Sequence, residues 1–189
     1  MDRLEVKPLS ISGVFEVKSH PLEDERGFFK RLFCEEELKS FIHRKSIVNV
    51  NFSMTKRKGT IRGIHFQHPP KAELKIIQCL QGNVWDVFVD VRQNSSTFLT
   101  WDAVELSSDK NNILILPEGV AHGFQTLEDD CKMLYMHTEH YDKTLEDGLR
   151  YSDPFLNISW PLAVTNCSER DENHKLINKY TFRGLNCEM

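Results

Sequence analysis

The chain holds five cysteines but no Cys-x-x-Cys pair. Cys34, Cys79, Cys131, Cys167 and Cys187 lie far apart and are odd in number. That spacing speaks against a zinc ribbon or a disulfide framework, and a reduced, cytoplasmic protein is expected. No apolar run reaches the roughly 20 residues of a membrane span, so no membrane partner is expected. Residues 1–6 include Asp2, Arg3 and Glu5, an arrangement unlike a secretory signal. An excess of one charge is lacking too. Lys and Arg number 24 against 28 Asp and Glu, for a net charge of −4 and a pI near 6.1. Nucleic acid is therefore not an expected partner. There are no repeats and no low-complexity segments. What remains is ordinary globular composition, 40% hydrophobic and 28% charged over 189 residues, enough for one domain with a real core.

Hydrophobic periodicity predicts one helix, over 35–42, where Leu38, Phe41 and Ile42 fall on one face behind an acidic first turn. The rest reads as short strands: 61–67, 75–81, 83–91, 101–106, 113–116, 122–127 and 132–138. In 83–91, Trp85, Val87, Val89 and Val91 alternate onto one face. Turn residues separate these runs: His68-Pro69-Pro70, Gly82, Asn94-Ser95-Ser96, 107–111 and Pro117-Glu118-Gly119. Many strands at near-regular spacing predict an all-β sandwich or closed barrel. From about Glu139 the chain is looser and is expected to wrap the barrel with short helical turns.

Four segments carry chemically interesting residues. Arg62 and His65 stand three apart on one strand, which puts them on opposite faces unless the strand bends; Gly63 between them permits a bulge. Lys75 opens a strand with Ile77 and Cys79 on its own face, so it is buried if they are. Burial of an ammonium is costly and needs a reason, whereas a strand-end lysine reaching water needs none. Tyr135 shares a face with Met133 and His137, the pattern of a core tyrosine with its hydroxyl satisfied. Ser168-Glu169-Arg170-Asp171 has the form of a helix N-terminus.

Pro117-Glu118-Gly119-Val120-Ala121-His122 resembles the second cupin motif, whose histidine binds metal in metal cupins. The partner motif there is His-x-His followed by Glu. Here His65 and His68 are spaced His-x-x-His, which splits them between faces, and Glu73 lies beyond the Pro-Pro break. No metal site is expected.

Together these segments resemble the dTDP-4-dehydrorhamnose 3,5-epimerases over about residues 10–172. The stretches that carry the likeness are Asp24-Glu25-Arg26-Gly27-Phe28-Phe29, Ile61-Arg62-Gly63-Ile64-His65-Phe66-Gln67 and Lys75. They continue with 84–92, 116–124, Tyr135 with Tyr141, Asp153-Pro154 to Trp160-Pro161, and Ser168-Glu169-Arg170-Asp171. The resemblance implies a cupin-type double-stranded β-helix, or jelly-roll barrel, with a few short peripheral helices. The epimerase domain would span 1–172 and a peripheral tail 173–189. It also implies a homodimer, no cofactor, and a nucleotide-diphosphate 4-keto-6-deoxyhexose as substrate. The matching positions make His65 the general base, Asp171 its carboxylate partner, Lys75 the group beside the keto oxygen and Tyr135 the proton donor on the other face. Arg26, Asn49, Asn51, Arg62, His122, Tyr141, Glu146 and Arg170 fall at substrate-contact positions. Three departures from the family pattern, at Arg31, Asn49-Val50-Asn51 and Glu73-Leu74, leave open which base and sugar are bound and whether C5 is inverted as well as C3. A 3-epimerase or a 3,4-ketoisomerase on the same barrel is the alternative, with a metal-dependent cupin more remote.

Overall fold

A computed structural model describes residues 4–43 and 45–187. Residues 1–3, 44 and 188–189 lie outside it, and with them part of the segment read for a leader and the end of the predicted tail. Four short strands come first: β1 (Leu4–Pro8), β2 (Phe15–Ser19), β3 (Leu22–Asp24) and β4 (Gly27–Phe29). A helical turn, α1 (Glu35–Leu38), leads into β5 (Asn49–Thr55), β6 (Ile61–Gln67), β7 (Lys75–Gln81) and β8 (Asn83–Asp90). Then follow β9 (Trp101–Ser107), β10 (Asn112–Leu116), β11 (Val120–Thr126), β12 (Cys131–His137), β13 (Glu146–Gly148) and α2 (Glu169–Glu172).

The strand runs read between 61 and 138 match β6 to β12 to within two residues at each end; β13 is not among them. The expected helix is shorter: α1 stops at Leu38, and 39–43 continue as turns with His43 at φ 51°. Leu38 and Ile42 are still both fully buried, because one helical turn and a half-regular turn suffice to lay them on the sheet.

Two antiparallel sheets face each other. One runs β1-β2-β10-β7-β12-β5, the other β13-β6-β11-β8-β9, and β3-β4 form a separate hairpin. Between the sheets lies a core of Ile77, Cys79, Leu114, Leu116 and Met133 from the first and Val84, Phe88, Leu106 and Phe124 from the second. This is the jelly-roll interior. The first sheet is covered outside by Leu38, Ile42 and Leu74 against Ile76, Ile113 and Ile115. The second is covered by Leu149, Leu156 and Leu185, which pack on Val87, Val89 and Val91. Strand β8 is therefore buried on both faces, with its polar Asp86 and Asp90 fully enclosed. Past α2 the chain lies along this second sheet, where the Leu185 N–H donates to the Val91 carbonyl at 2.6 Å. The apolar packing does not fill one end of the barrel, and a cavity of about 330 Å³ opens there.

Candidate active site

The site is organised around an irregularity in β6. Gly63 sits at φ +114°, and the pairing of β6 with β11 shifts register opposite it, between His122 and Phe124. A Cβ on Gly63 would lie 2.5 Å from Gly123 Cα and 2.7 Å from the His122 carbonyl oxygen, so only glycine fits. The bulge inserts one residue and turns Arg62 and His65 to the same side; both line the cavity.

The bulge also leaves the Gly63 N–H free to reach Asp171. In α2 the Ser168 hydroxyl oxygen caps the helix by accepting the Asp171 N–H at 3.1 Å. That fixes the carboxylate so that Oδ2 accepts the Gly63 N–H at 3.0 Å and Oδ1 lies 2.8 Å from His65 Nε2. Burial works to raise the Asp171 pKa, but the His65 hydrogen bond and charge, with the backbone and Ser168 donors, outweigh it and hold the carboxyl well below its usual range. An ionised carboxylate only accepts, so His65 Nε2 carries the proton and the lone pair sits on Nδ1. Arg170 lies over this pair, its Nε donating to Asp171 Oδ1 at 3.3 Å and its Nη1 to Glu146 at 2.8 Å; its Nη2 comes within 2.9 Å of the protonated His65 Nε2, a close approach of two donors and not a hydrogen bond. Glu146 also accepts from the Tyr141 hydroxyl at 2.8 Å.

Strands β7 and β12 of the opposite sheet supply the other wall. Lys75 is 6% exposed; its ammonium donates to the His65 carbonyl at 3.0 Å and lies 3.4 Å from Glu73. The reason its burial requires is thus an anionic partner plus a backbone acceptor. Tyr135 projects beside it, with its hydroxyl 3.0 Å from Ser53 Oγ. Burial pushes the phenol well above its ordinary pKa, so it stays protonated. A second imidazole–carboxylate pair lies deeper, with His122 Nε2 2.9 Å from Asp86 Oδ2. Among the described residues His122 joins no cluster of three metal-ligating side chains.

Residues 8–179 match the family model for dTDP-4-dehydrorhamnose 3,5-epimerase. The chain belongs to this family. It is 40% identical over 151 residues to a dTDP-4-dehydrorhamnose 3,5-epimerase of Shigella flexneri, covering 79% of this chain and 83% of that one. It is 32% identical over 183 residues to a dTDP-4-dehydrorhamnose 3-epimerase of Streptomyces niveus, covering 96% and 88%. In structure it superposes with a TM-score of 0.89 on a dTDP-6-deoxy-D-glucose-3,5-epimerase from Legionella pneumophila in complex with dTDP-4-keto-L-rhamnose. That pair is 31% identical and covers 98% of this chain and 100% of the other.

Of the residues the family pattern points to, His65, Lys75, Tyr135, Arg62, Asn49, Asn51, His122, Tyr141 and Glu146 line one cavity. Asp171 and Arg170 stand directly behind its His65 edge. Arg26 is apart: on the β3-β4 hairpin, with an 85% exposed side chain, it pairs with Asp24. The departures from the pattern also separate. Arg31 pairs with Glu37, away from the cavity, and Val50 faces outward. Glu73 lines the cavity and accepts from His137 Nδ1 at 2.9 Å. Burial opposes ionisation of Glu73, but the His137 hydrogen bond and the Lys75 charge bring its pKa below the ordinary value. His137 and Asp86 were not singled out from the sequence as site residues. His137 was legible through its alternation with Tyr135, whereas Asp86 looked like one polar position in an apolar strand.

Proposed function

We propose that this chain is an epimerase of a nucleotide-diphosphate 4-keto-6-deoxyhexose, inverting C3 and C5 by removing and returning protons beside the C4 ketone. The observation that carries it is the placing of an oriented imidazole on one sheet and a half-buried phenol on the other, with an ammonium in the same cavity. A C–H bond next to a ketone breaks, its proton passes to His65 Nδ1, and the electron pair moves onto the C4 oxygen. Lys75 stabilises that enolate oxygen, a preorganised contribution on the order of 3–4 kcal/mol. Asp171 fixes the tautomer of His65 and favours the imidazolium. Carbon then takes a proton from the Tyr135 hydroxyl on the opposite face, and solvent restores both groups. Arg62, Arg170 and Tyr141 suit the diphosphate and base, since a guanidinium forks onto phosphate oxygens and a phenol ring stacks on a planar one. His122, Asn49, Asn51 and Glu146 are read as sugar and nucleotide contacts.

The working unit is proposed as a homodimer. On edge strand β5, Val50, Phe52 and Met54 form an exposed apolar face, and hairpin β3-β4 exposes Leu22 and Phe28 beside Arg26. A second copy covering these surfaces would bring Arg26 to a cavity it does not reach within its own chain. Light scattering should give twice the 22.1 kDa chain mass. The free thiols of Cys79 and Cys131, buried and donating to backbone carbonyls, fit a reducing cytoplasm.

The catalytic reading is tested in heavy water with a dTDP-4-keto-6-deoxyhexose. Deuterium at C3 and C5 is the expected result. Label at C3 alone makes the chain a 3-epimerase, like the Streptomyces niveus relative, and no label defeats the proposal.

A further inference from the structure

A third ring stands beside the His65–Asp171 pair. His174, just past α2, lies with its ring centroid 6.0 Å from that of His65, edge to face. Its Nε2 is 4.0 Å from Asp171 Oδ1, too far for a hydrogen bond. That atom is buried and has no hydrogen-bond partner. The ring sits in a recess that only glycine provides: a Cβ on Gly148 would lie 2.3 Å from His174 Nε2, and Gly148 is the register partner of His65 across β13 and β6. A packed barrel has thus made room for an imidazole and aimed an unsatisfied nitrogen at a carboxylate that already holds another imidazole.

We propose that His65, Asp171 and His174 form a binding site for a divalent transition-metal ion of the zinc type, and that its occupation switches off the base. The second half rests on the epimerase reading above; the first does not. The ligand atoms of the three side chains lie within 4.8 Å of one another. Ligands bound to one zinc ion at about 2.0–2.2 Å are separated by roughly 3–4 Å, so side-chain adjustments of less than about an ångström bring all three onto a shared ion. Two imidazoles and one carboxylate favour zinc, cobalt or nickel over magnesium or calcium, which prefer all-oxygen sites. The ion replaces the Nε2 proton of His65. A neutral metal-bound imidazole then carries its proton on Nδ1, the nitrogen assigned to proton abstraction, so catalysis stops without any contact between metal and substrate.

Arg170 opposes the ion. Its guanidinium lies against His65 Nε2 and is held there by Glu146 Oε2 at 2.8 Å and Asp171 Oδ1 at 3.3 Å, so the half-exposed side chain must give up those two contacts for an ion to enter. The site is therefore weaker than its ligands alone would make it, and its affinity depends on Arg170 in a stated direction.

The test is calorimetric titration of the untagged protein with zinc chloride, with magnesium chloride in parallel. One zinc per chain and no magnesium binding are expected. His174→Ala should weaken zinc binding by more than about 10-fold, since loss of a direct ligand costs at least as much as loss of an outer partner, and His174→Phe, which keeps a ring in the Gly148 recess, should do the same. Arg170→Gln should tighten it. Absence of zinc binding, or equal binding by the wild type and both His174 variants, overturns the site. Turnover is read on the same samples. As zinc fills the site kcat should fall in proportion to occupancy while KM stays constant; an undiminished kcat at full occupancy overturns the switch. A chain inactive without metal would defeat the epimerase reading instead, and the binding result would still decide the site.

Discussion

Among the imidazole–carboxylate pairs around this cavity, His65–Asp171 and His122–Asp86 are built differently. In the outer pair, Asp171 is almost fully buried, yet its carboxylate accepts the Gly63 N–H at 3.0 Å and faces an imidazole at 2.8 Å, while its own N–H donates to the Ser168 cap. In the inner pair, Asp86 is completely buried with His122 on Oδ2, and its Oδ1 has no partner. Burial pushes the Asp86 carboxyl above its usual range against the pull of His122, whereas Asp171 is held far below. The donors around a buried carboxylate decide its charge; burial alone does not. One pair has a permanent anion that orients a base, and the other a carboxylate whose ionisation is resisted.

The largest effect should come from the outer imidazole. His65→Ala should lower kcat by about 10⁴-fold, the upper range for a positioned acid–base group, with the fold intact by circular dichroism. Asp171→Asn keeps the shape but offers the wrong partner, and should cost about 10³-fold in kcat. Asp86→Asn in the inner pair should cost less than about tenfold, because the amide oxygen still accepts from His122 and no fixed charge is needed there. Steady-state kinetics of the three variants would erase the comparison if Asp86→Asn were as damaging as Asp171→Asn.

The pairs should also separate in acid. The depressed Asp171 pKa contributes stability that is fully present above about 3.9, the ordinary carboxylate value, and is lost as pH falls through the folded value. The raised Asp86 pKa has the opposite sign: the folded state resists ionisation, so stability declines as pH rises past the ordinary value. Thermal melts at pH 5 to 8 should therefore show Asp171→Asn destabilised and Asp86→Asn unchanged or stabilised.

A smaller and purely structural test bears on how the outer pair is made. Gly63→Ala should destabilise by about 2–4 kcal/mol, since the new methyl meets backbone on β11 and the φ is one that L residues avoid. Denaturant melts would measure it.

Much of this was readable beforehand, for identifiable reasons. Strands β6 to β12 are legible as short apolar runs whose ends are marked by turn residues, although β7, β8, β10 and β11 are largely buried on both faces and alternate little. The bulge that joins Arg62 to His65 was foreshadowed by a lone glycine in a strand. Lys75 was undecidable from its own segment: the partners that make its burial tolerable, Glu73 and the His65 carbonyl, are known only once β6 and β7 are side by side. Strands β1 to β3 were not delimited, because they are only three to five residues long and carry charge within them; β5 was not delimited although Val50, Phe52 and Met54 alternate with polar residues, and there the apolar face is the exposed one. His174 had no periodic signal, and its meaning depends on Gly148, remote in sequence and significant only for the space it leaves.

The most direct measurement is deuterium incorporation by Tyr135→Phe acting on a 4-keto-6-deoxyhexose nucleotide in heavy water. With His65 and Asp171 intact, proton removal should continue and label should enter at C3 with configuration retained, while inverted product fails to accumulate. Inversion at the wild-type rate would contradict two-sided proton transfer and the account built on it.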